Sequence, residues 1–294
     1  MSIEQTATQA DRASPTALGV FVVVTLLVSW TISFAAITDT IPPYTTALIM
    51  LTPAVVVLGI RRAQGHSLLQ TVKSSLQGTT ARSLLFALGY PILFISVAAV
   101  IALASGLGTY QPGADNVLRT IIEGNGVLLP VWVLLNLGIV YGEELGWRGY
   151  LLPELTVRWG RVRAAAAVGV VWALYHAAFL YNAGVALAVE NPLLITAIQG
   201  SAVFTISFPF AYSYYLADGS VLPAMVLHLV WNIVNPWILG DIYANVEGVV
   251  GGQVFMVNGE GLVGSVLGVV AIAGFVVLFR RGTLIRETGE PPHL

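Results

Sequence analysis

Residues 126–148 read GVLLPVWVLLNLGIVYGEELGWR, an apolar run that ends in two glutamates and an arginine. A helix that crosses the roughly 30 Å hydrocarbon core of a bilayer needs about 20 apolar residues. A charged side chain at that depth costs at least about 2.5–3.5 kcal/mol, so such residues usually face a protein interior or a wet cavity and have a function. The stretch therefore predicts a membrane helix with a functional site at Glu143, Glu144 and Arg148.

The composition of the whole chain is typical of a membrane protein. Of its 294 residues, 56% are hydrophobic and 10% are charged, whereas soluble domains carry about 25% charged residues. The net charge of −2, without a block of basic residues, argues against nucleic-acid binding. Because the chain has no cysteine, thiolate nucleophiles, disulfides and zinc–thiolate sites are excluded.

Eight apolar stretches have roughly the length that spans a bilayer, which predicts an all-α polytopic integral membrane bundle of about eight transmembrane helices. The predicted spans are 17–38, 44–60, 83–104, 126–148, 163–182, 193–216, 221–240 and 262–280. They form one domain over 17–282, between a flexible N-terminal tail, 1–16, and a C-terminal tail, 283–294. Pro53 predicts a kink in the second span. The segment 68–76 is either a short surface helix or plain loop.

Arginine and lysine are concentrated on one side of the predicted membrane. With a cytoplasmic N terminus, twelve of the thirteen basic residues fall in inside segments, and only Arg119 falls outside. Cytoplasmic loops are enriched in Lys and Arg. The distribution therefore predicts that both termini are cytoplasmic, as an even number of helices requires.

Helical geometry predicts different environments for the two glutamates. Residues four apart share a helix face, whereas adjacent residues are turned by about 100°. Arg148 is therefore expected to pair with Glu144 and to offset the desolvation of that carboxylate. Glu143 is left to face a substrate. The alternative is a purely structural ion pair at a helix end.

Two histidines lie inside predicted membrane helices, where an imidazole needs a polar partner. His176 follows Trp172 by one helical turn, and His228 precedes Asn232 by one turn. Each pair therefore lies on one helix face. At about 1.5 Å per residue, Glu143 and the histidines are expected at a common level between the cytoplasmic interface and the midplane.

These motifs, on three membrane helices in this order, resemble the CAAX protease and bacteriocin-processing (CPBP, or Abi) family of intramembrane peptidases. The type II CAAX prenyl endopeptidases belong to that family. The resemblance covers residues 140–235, and Trp172 stands where phenylalanine is common. The motifs that carry it are Glu143-Glu144-xxx-Arg148, Trp172-xxx-His176 and His228-xxx-Asn232.

The resemblance implies an endopeptidase that hydrolyses a peptide bond of a membrane-associated substrate, which enters laterally or from the cytoplasm. Glu143 would activate a water as general base, and His176 would help to hold that water. His228 and Asn232 would donate hydrogen bonds to the oxyanion of the tetrahedral intermediate. The residues expected to support and orient these groups are Glu144, Arg148 and Trp172.

Two other functions stay open at this point. Glu143, His176 and His228 also have the residue types of a zinc peptidase with a water as fourth ligand, but the chain lacks an HExxH motif. We favour a site without zinc or another cofactor. The second alternative is a non-catalytic immunity factor or scaffold. The expected partners are the lipid bilayer and a peptide or prenylated protein substrate, and not nucleic acid.

Overall fold

The computed structural model describes residues 12–112, 126 and 129–281. Within these ranges the chain forms a bundle of long helices, which are joined by short turns and one pair of three-residue strands. The helices are α1 (Pro15–Ile37), α2 (Thr52–Ala63), α3 (Leu68–Ser75), α4 (Ala81–Ala104), α5 (Leu129–Gly146), α6 (Leu152–Ala186), α7 (Pro192–Leu216), α8 (Leu222–Leu239), α9 (Val254–Val257) and α10 (Leu262–Arg280).

Four further elements connect these helices. A 3₁₀ segment, Pro43–Leu51, leads directly into α2, and a π-helical segment, Trp147–Leu151, joins α5 to α6. Strand β1 (Gly108–Tyr110) pairs antiparallel with β2 (Val250–Gly252). Of the two alternatives for 68–76, the structure has the short helix, α3. The sheet was not predicted, because each strand is only three residues long.

Seven helical runs of the described residues are long and apolar enough to cross a membrane, and the chain is an integral membrane protein. The run Leu129–Ala186 has 58 residues and includes residues 129–148 of the predicted span 126–148 and all of the predicted span 163–182. It breaks at Gly160, whose φ of 76° and ψ of 163° are readily adopted only by glycine. The prediction of a polytopic all-α protein with about eight spans is therefore confirmed.

The end that was predicted for the fourth span is wrong. The helix does not stop at Arg148 but continues through the π segment into α6. Arg148 is consequently fully buried, and it does not belong with the basic residues of the inside segments. A π turn keeps the backbone hydrogen-bonded with a wider i→i+5 spacing, so the charged residues lie inside the bundle without ending the helix.

Two other boundaries also differ from prediction. Pro53 does not kink a helix, because it stands in the first turn of α2, where its missing N–H leaves no bond unmade. Helix α1 begins at Pro15, and Ala13 is buried. The last residues of the predicted tail 1–16 therefore belong to the folded part of the chain. The rest of that tail, 1–11, and the tail 283–294 lie outside the described residues.

The helices alternate in direction, so their turns collect at two ends of the bundle. At one end, Val221 N–H donates to Ser75 O at 2.8 Å, and Ala13 N–H donates to Glu154 Oε1 at 2.9 Å. We call this the basic end. Its described residues are 12–14, 61–82, 158–163, 217–221 and 280–281.

The opposite end carries the sheet and a small apolar cluster of Ile242, Val254 and Phe255. We call it the acidic end. The glycine-rich segment 241–261 contributes β2 and α9 here, and most of 105–125 lies outside the described residues. The described residues of the acidic end are 38–42, 105–112, 187–191 and 240–261.

Candidate active site

Glu143 lies on α5 at the wall of a cavity of about 400 Å³ and is only 1% exposed. Its Oε2 accepts a hydrogen bond from Trp172 Nε1 at 2.8 Å and another from Trp147 Nε1 at 3.3 Å. Two indole donors on one oxygen fix the orientation of the carboxylate. Oε1 is left for a group in the cavity, such as a water or a substrate.

Glu144, the adjacent residue, is turned into the protein and pairs with Arg148. Arg148 Nη1 lies 3.0 Å from Oε1 and 3.1 Å from Oε2 of Glu144, and both side chains are fully buried. The guanidinium carbon lies 4.2 Å from the ring centre of Trp172 and 4.3 Å from that of Phe210. Aromatic faces attract a desolvated cation, so these rings help Arg148 to remain charged in the interior.

His228 on α8 is held by Glu144. Its Nδ1 lies 2.9 Å from Glu144 Oε1, while Glu143 and both histidines line the same cavity. An ionised carboxylate only accepts hydrogen bonds, so Nδ1 is the donor and Nε2 remains for the cavity. The rings of Trp172 and Phe210 pack edge-on against the imidazole, at 5.9 Å and 5.4 Å between ring centres.

His176 on α6 is oriented by its own helix. Its Nδ1 lies 2.9 Å from the carbonyl oxygen of Trp172. A carbonyl only accepts, so Nδ1 carries a proton, and in the neutral ring Nε2 is the acceptor. Tyr175 packs edge-on against the ring at 4.9 Å and donates its hydroxyl to Ile49 O at 2.7 Å. The imidazole is thus held with an acceptor nitrogen available to a water.

Asn232 lies one turn after His228 on α8 and is exposed at the cavity wall. Among the described residues no hydrogen bond holds its side chain, so the amide is available as a donor. The structure therefore brings all four residues that were predicted to be catalytic to one cavity. They are Glu143, His176, His228 and Asn232.

The acidic end contributes a polar wall to the cavity that the sequence did not indicate. Trp231 Nε1 and the Tyr243 hydroxyl donate to the two oxygens of Glu260, at 2.8 Å and 2.6 Å. Burial and the neighbouring Glu260 carboxylate raise the pKa of Tyr243 well above its ordinary value, so the phenol remains a donor at neutral pH. Although Tyr243 is 36% exposed as a residue, its hydroxyl is directed inward onto Glu260.

Asn235 ties this wall to α8. Its Oδ1 accepts from Gly259 N–H at 3.0 Å, and its Nδ2 donates to Asn258 Oδ1 at 2.9 Å. Helical spacing could have indicated these two residues of the cavity wall, because Trp231 and Asn235 follow His228 at i+3 and i+7 and so lie on the same face of the helix.

Two glycines allow the 3₁₀ segment and α2 to pack directly against α5 beside the glutamates. A Cβ atom at Gly142 would lie 2.6 Å from Met50 O, and one at Gly146 would overlap Pro53 Cβ. Small residues are what lets membrane helices approach so closely. This contact places Ile49 and Met50 in the cavity wall near Glu143.

Zinc held by Glu143, His176 and His228 was the alternative for this site. Among the described residues, no three His, Cys, Asp or Glu side chains are placed to share a metal ion. Both imidazoles use Nδ1 on a protein acceptor and keep Nε2 for the cavity, an arrangement that metal-binding histidines also adopt.

Comparison with known proteins gives an independent view of this region. Residues 125–234 match the family described as "Type II CAAX prenyl endopeptidase Rce1-like". The chain is also 32% identical, over 90 residues, to "CAAX prenyl protease 2" of Methanococcus maripaludis. The aligned segment covers 29% of this chain and 32% of that relative, so the chain spans about a third of the relative it matches.

The matched region contains all the motif residues of α5, α6 and α8, but it ends before the acidic-end loop with Tyr243 and Glu260. The resemblance predicted from the motifs is thereby confirmed: residues 125–234 are similar to the Rce1-like, type II CAAX prenyl endopeptidase family.

Proposed function

We propose that the protein is an intramembrane endopeptidase that hydrolyses a peptide bond of a membrane-associated substrate with a water activated by Glu143. The carrying observation is the setting of Glu143, whose Oε2 is held by two indole N–H groups while the carboxylate borders the cavity. His176, His228 and Asn232 border the same cavity. A positioned base and positioned donors are the two components that water-mediated peptide hydrolysis requires.

The proposed reaction begins with a water between Glu143 and His176 Nε2. Glu143 takes one proton of the water as its oxygen attacks the scissile carbonyl carbon. Asn232 and His228 donate to the resulting oxyanion, and His228 does so from Nε2 when its ring carries both protons. The C–N bond then breaks, and the proton on Glu143 passes to the leaving nitrogen, giving a carboxylic acid and an amine and returning Glu143 to its ionised form.

The charges of the cavity wall support cleavage within a chain. Among the described residues, the lining includes the carboxylates of Glu143, Asp241 and Glu260 and no lysine or arginine. A site that gripped the terminal carboxylate of its substrate would need a cation there. The apolar wall, which includes Val203, Ile206 and Phe210, suits an extended apolar peptide.

Whether the substrate is prenylated needs its own test, because the names of the relative and of the matched family mention a prenyl group but do not define the substrate of this chain. Two anchored peptides that differ only in a prenyl group, offered to the reconstituted protein, test it directly. Faster cleavage of the prenylated peptide would assign that substrate class to this chain, and equal cleavage would assign recognition to the peptide alone.

The proposed orientation places both termini in the cytoplasm. Arg148 is buried, and the ten other basic residues that the structure describes lie on the side of the basic end. The described segments of the acidic end contain no lysine or arginine. Lys and Arg in short loops stay in the cytoplasm, so the basic end is assigned to that side.

Substrate trapping tests the proposed function. Glu143→Gln keeps the size of the side chain and removes the base, so the variant should bind a substrate without cleaving it. We expect the purified variant to retain a peptide that the wild type releases in two fragments. Glu190→Gln, at an exposed position of the acidic end, is the control and should behave as wild type. If Glu143→Gln retains no peptide and cells that carry it have the wild-type phenotype, a non-catalytic scaffold would be favoured.

A further inference from the structure

We infer that the cavity opens toward the extracytoplasmic face, so that the substrate is a polypeptide segment presented on that side of the membrane. That the entering segment is a substrate rests on the proposed function. The direction of the opening is independent of that function, because it follows from the packing of the helices and from the distribution of charge.

The chain is closed between Glu143 and the basic end. Leu145 is 1% exposed, and Trp147, Tyr150 and Leu152 are completely buried. The turns of the basic end, 61–82 and 217–221, contribute no residue to the described cavity lining. A polypeptide that came from this side would have to displace a packed aromatic core before it reached Glu143.

The cavity is continuous in the other direction. It extends past the half of α6 that follows His176, where Phe179 lines it, and past Asn235 and Pro236 near the end of α8. It reaches the acidic end itself, because Asp241, Ile242, Tyr243 and Glu260 are lining residues. The beginning of the 3₁₀ segment, also next to the acidic end, supplies Thr46 and Ala47.

The charges assign a side of the membrane to each end. The basic end and the segments adjoining it hold Arg12, Arg61, Arg62, Lys73, Arg82, Arg158, Arg161, Arg163, Arg280 and Arg281 among the described residues. The described segments of the acidic end hold Asp39, Glu190, Asp241, Glu247 and Glu260 and no basic residue. An excess of Lys and Arg marks the cytoplasmic side, whereas Asp and Glu contribute little to orientation.

The combination replaces the expectation that a substrate enters from the cytoplasm. The fitting substrate is an exported segment, or a membrane-anchored segment on the extracytoplasmic side, with an apolar stretch that can descend to Glu143. A chain end that stays in the cytosol does not reach the base along this path.

Thiol labelling tests the direction of the opening, since the natural chain has no cysteine and needs no background removed. Single cysteines are introduced at Asn232 and Ala47, which line the cavity and are exposed. Ala244→Cys marks the acidic end and Gln77→Cys the basic end, and both positions are exposed. A membrane-impermeant maleimide is added to right-side-out and inside-out vesicles containing each variant, and labelling is normalised to that in detergent.

We expect Asn232→Cys, Ala47→Cys and Ala244→Cys to be labelled in right-side-out vesicles, and Gln77→Cys only in inside-out vesicles. Two cavity positions keep the test valid if one variant fails to fold. Labelling of the cavity cysteines from the same side as Gln77→Cys, or from neither side, would overturn the inference, and so would labelling of Gln77→Cys in right-side-out vesicles. None of these readouts uses peptidase activity, so the proposed function stands or falls separately by the trapping experiment.

Discussion

At the scale of single residues, the two adjacent glutamates have different tasks because the helix turns them to different surroundings. Glu144 has a cation, an imidazole and no access to the cavity, whereas Glu143 has two neutral indole donors and borders the cavity. A base must be free to take up a proton, and a carboxylate held by an arginine is poorly suited to that. The geometry thus supports Glu143 as the reactive group.

The buried pair of Glu144 and Arg148 predicts a large stability effect. Arg148→Met leaves a buried carboxylate without its cation, which typically costs about 3–5 kcal/mol. We expect a marked loss of thermal stability in detergent, and partial recovery in the double variant Glu144→Gln, Arg148→Met, because both charges are then removed.

Arg158→Met is the matched control for this prediction. Arg158 pairs with Glu154 in the same i,i+4 spacing, but its side chain is 26% exposed, so water screens this pair and we expect its loss to cost less than that of the fully buried pair. Equal losses for Arg158→Met and Arg148→Met, or no recovery in the double variant, would contradict the assigned role of the buried pair.

Metal independence is a second prediction for the site residues. Because no three His, Cys, Asp or Glu side chains among the described residues are placed to share a metal ion, we expect peptidase activity to survive chelation and dialysis. Metal analysis of the purified active protein checks the same point. Stoichiometric zinc that is needed for cleavage would instead support the alternative with Glu143, His176 and His228 as ligands.

At the scale of elements, the joint between α5 and α6 shows what periodicity alone does not reveal. Apolar spacing predicted a helix end at Arg148, because charged residues normally mark the edge of a span. The π segment instead carries Trp147 and Arg148 inward, where one donates to Glu143 and the other pairs with Glu144. Such π turns occur often at functional sites, but their spacing has no distinct hydrophobic pattern.

The close contact of α5 with the 3₁₀ segment and α2 predicts a stability difference between two glycines of one helix. Gly146→Ala forces a Cβ onto Pro53, and overpacking typically costs about 1–3 kcal/mol. Gly138→Ala meets nothing within 4 Å and gains up to about 1 kcal/mol of helix propensity. Thermal unfolding in detergent should show a lower midpoint for Gly146→Ala and an equal or higher one for Gly138→Ala. A lower midpoint for both would show that loss of glycine itself, and not the contact, is responsible.

At the scale of the whole molecule, composition and span length sufficed to predict the polytopic helical fold, because the bilayer imposes the length of every span. The site could be predicted because Glu143, His176 and His228 are conspicuous in apolar helices. The acidic end could not be predicted, since its glycine-rich segment carries no period. Its hydrogen bonds to Trp231 and Asn235 form only after helices distant in sequence have packed together.

The central claim is that this molecule hydrolyses peptide bonds with a water that Glu143 activates. Membranes holding equal amounts of wild type, Glu143→Gln or Glu190→Gln are incubated in ¹⁸O-labelled water, and newly formed peptide C termini are profiled by mass spectrometry. Wild type and Glu190→Gln should produce the same new termini with one ¹⁸O from water. Glu143→Gln should produce about 10²- to 10⁴-fold less, the usual contribution of a positioned general base. New ¹⁸O-labelled termini at wild-type levels from Glu143→Gln, or none from the wild type, would contradict the account.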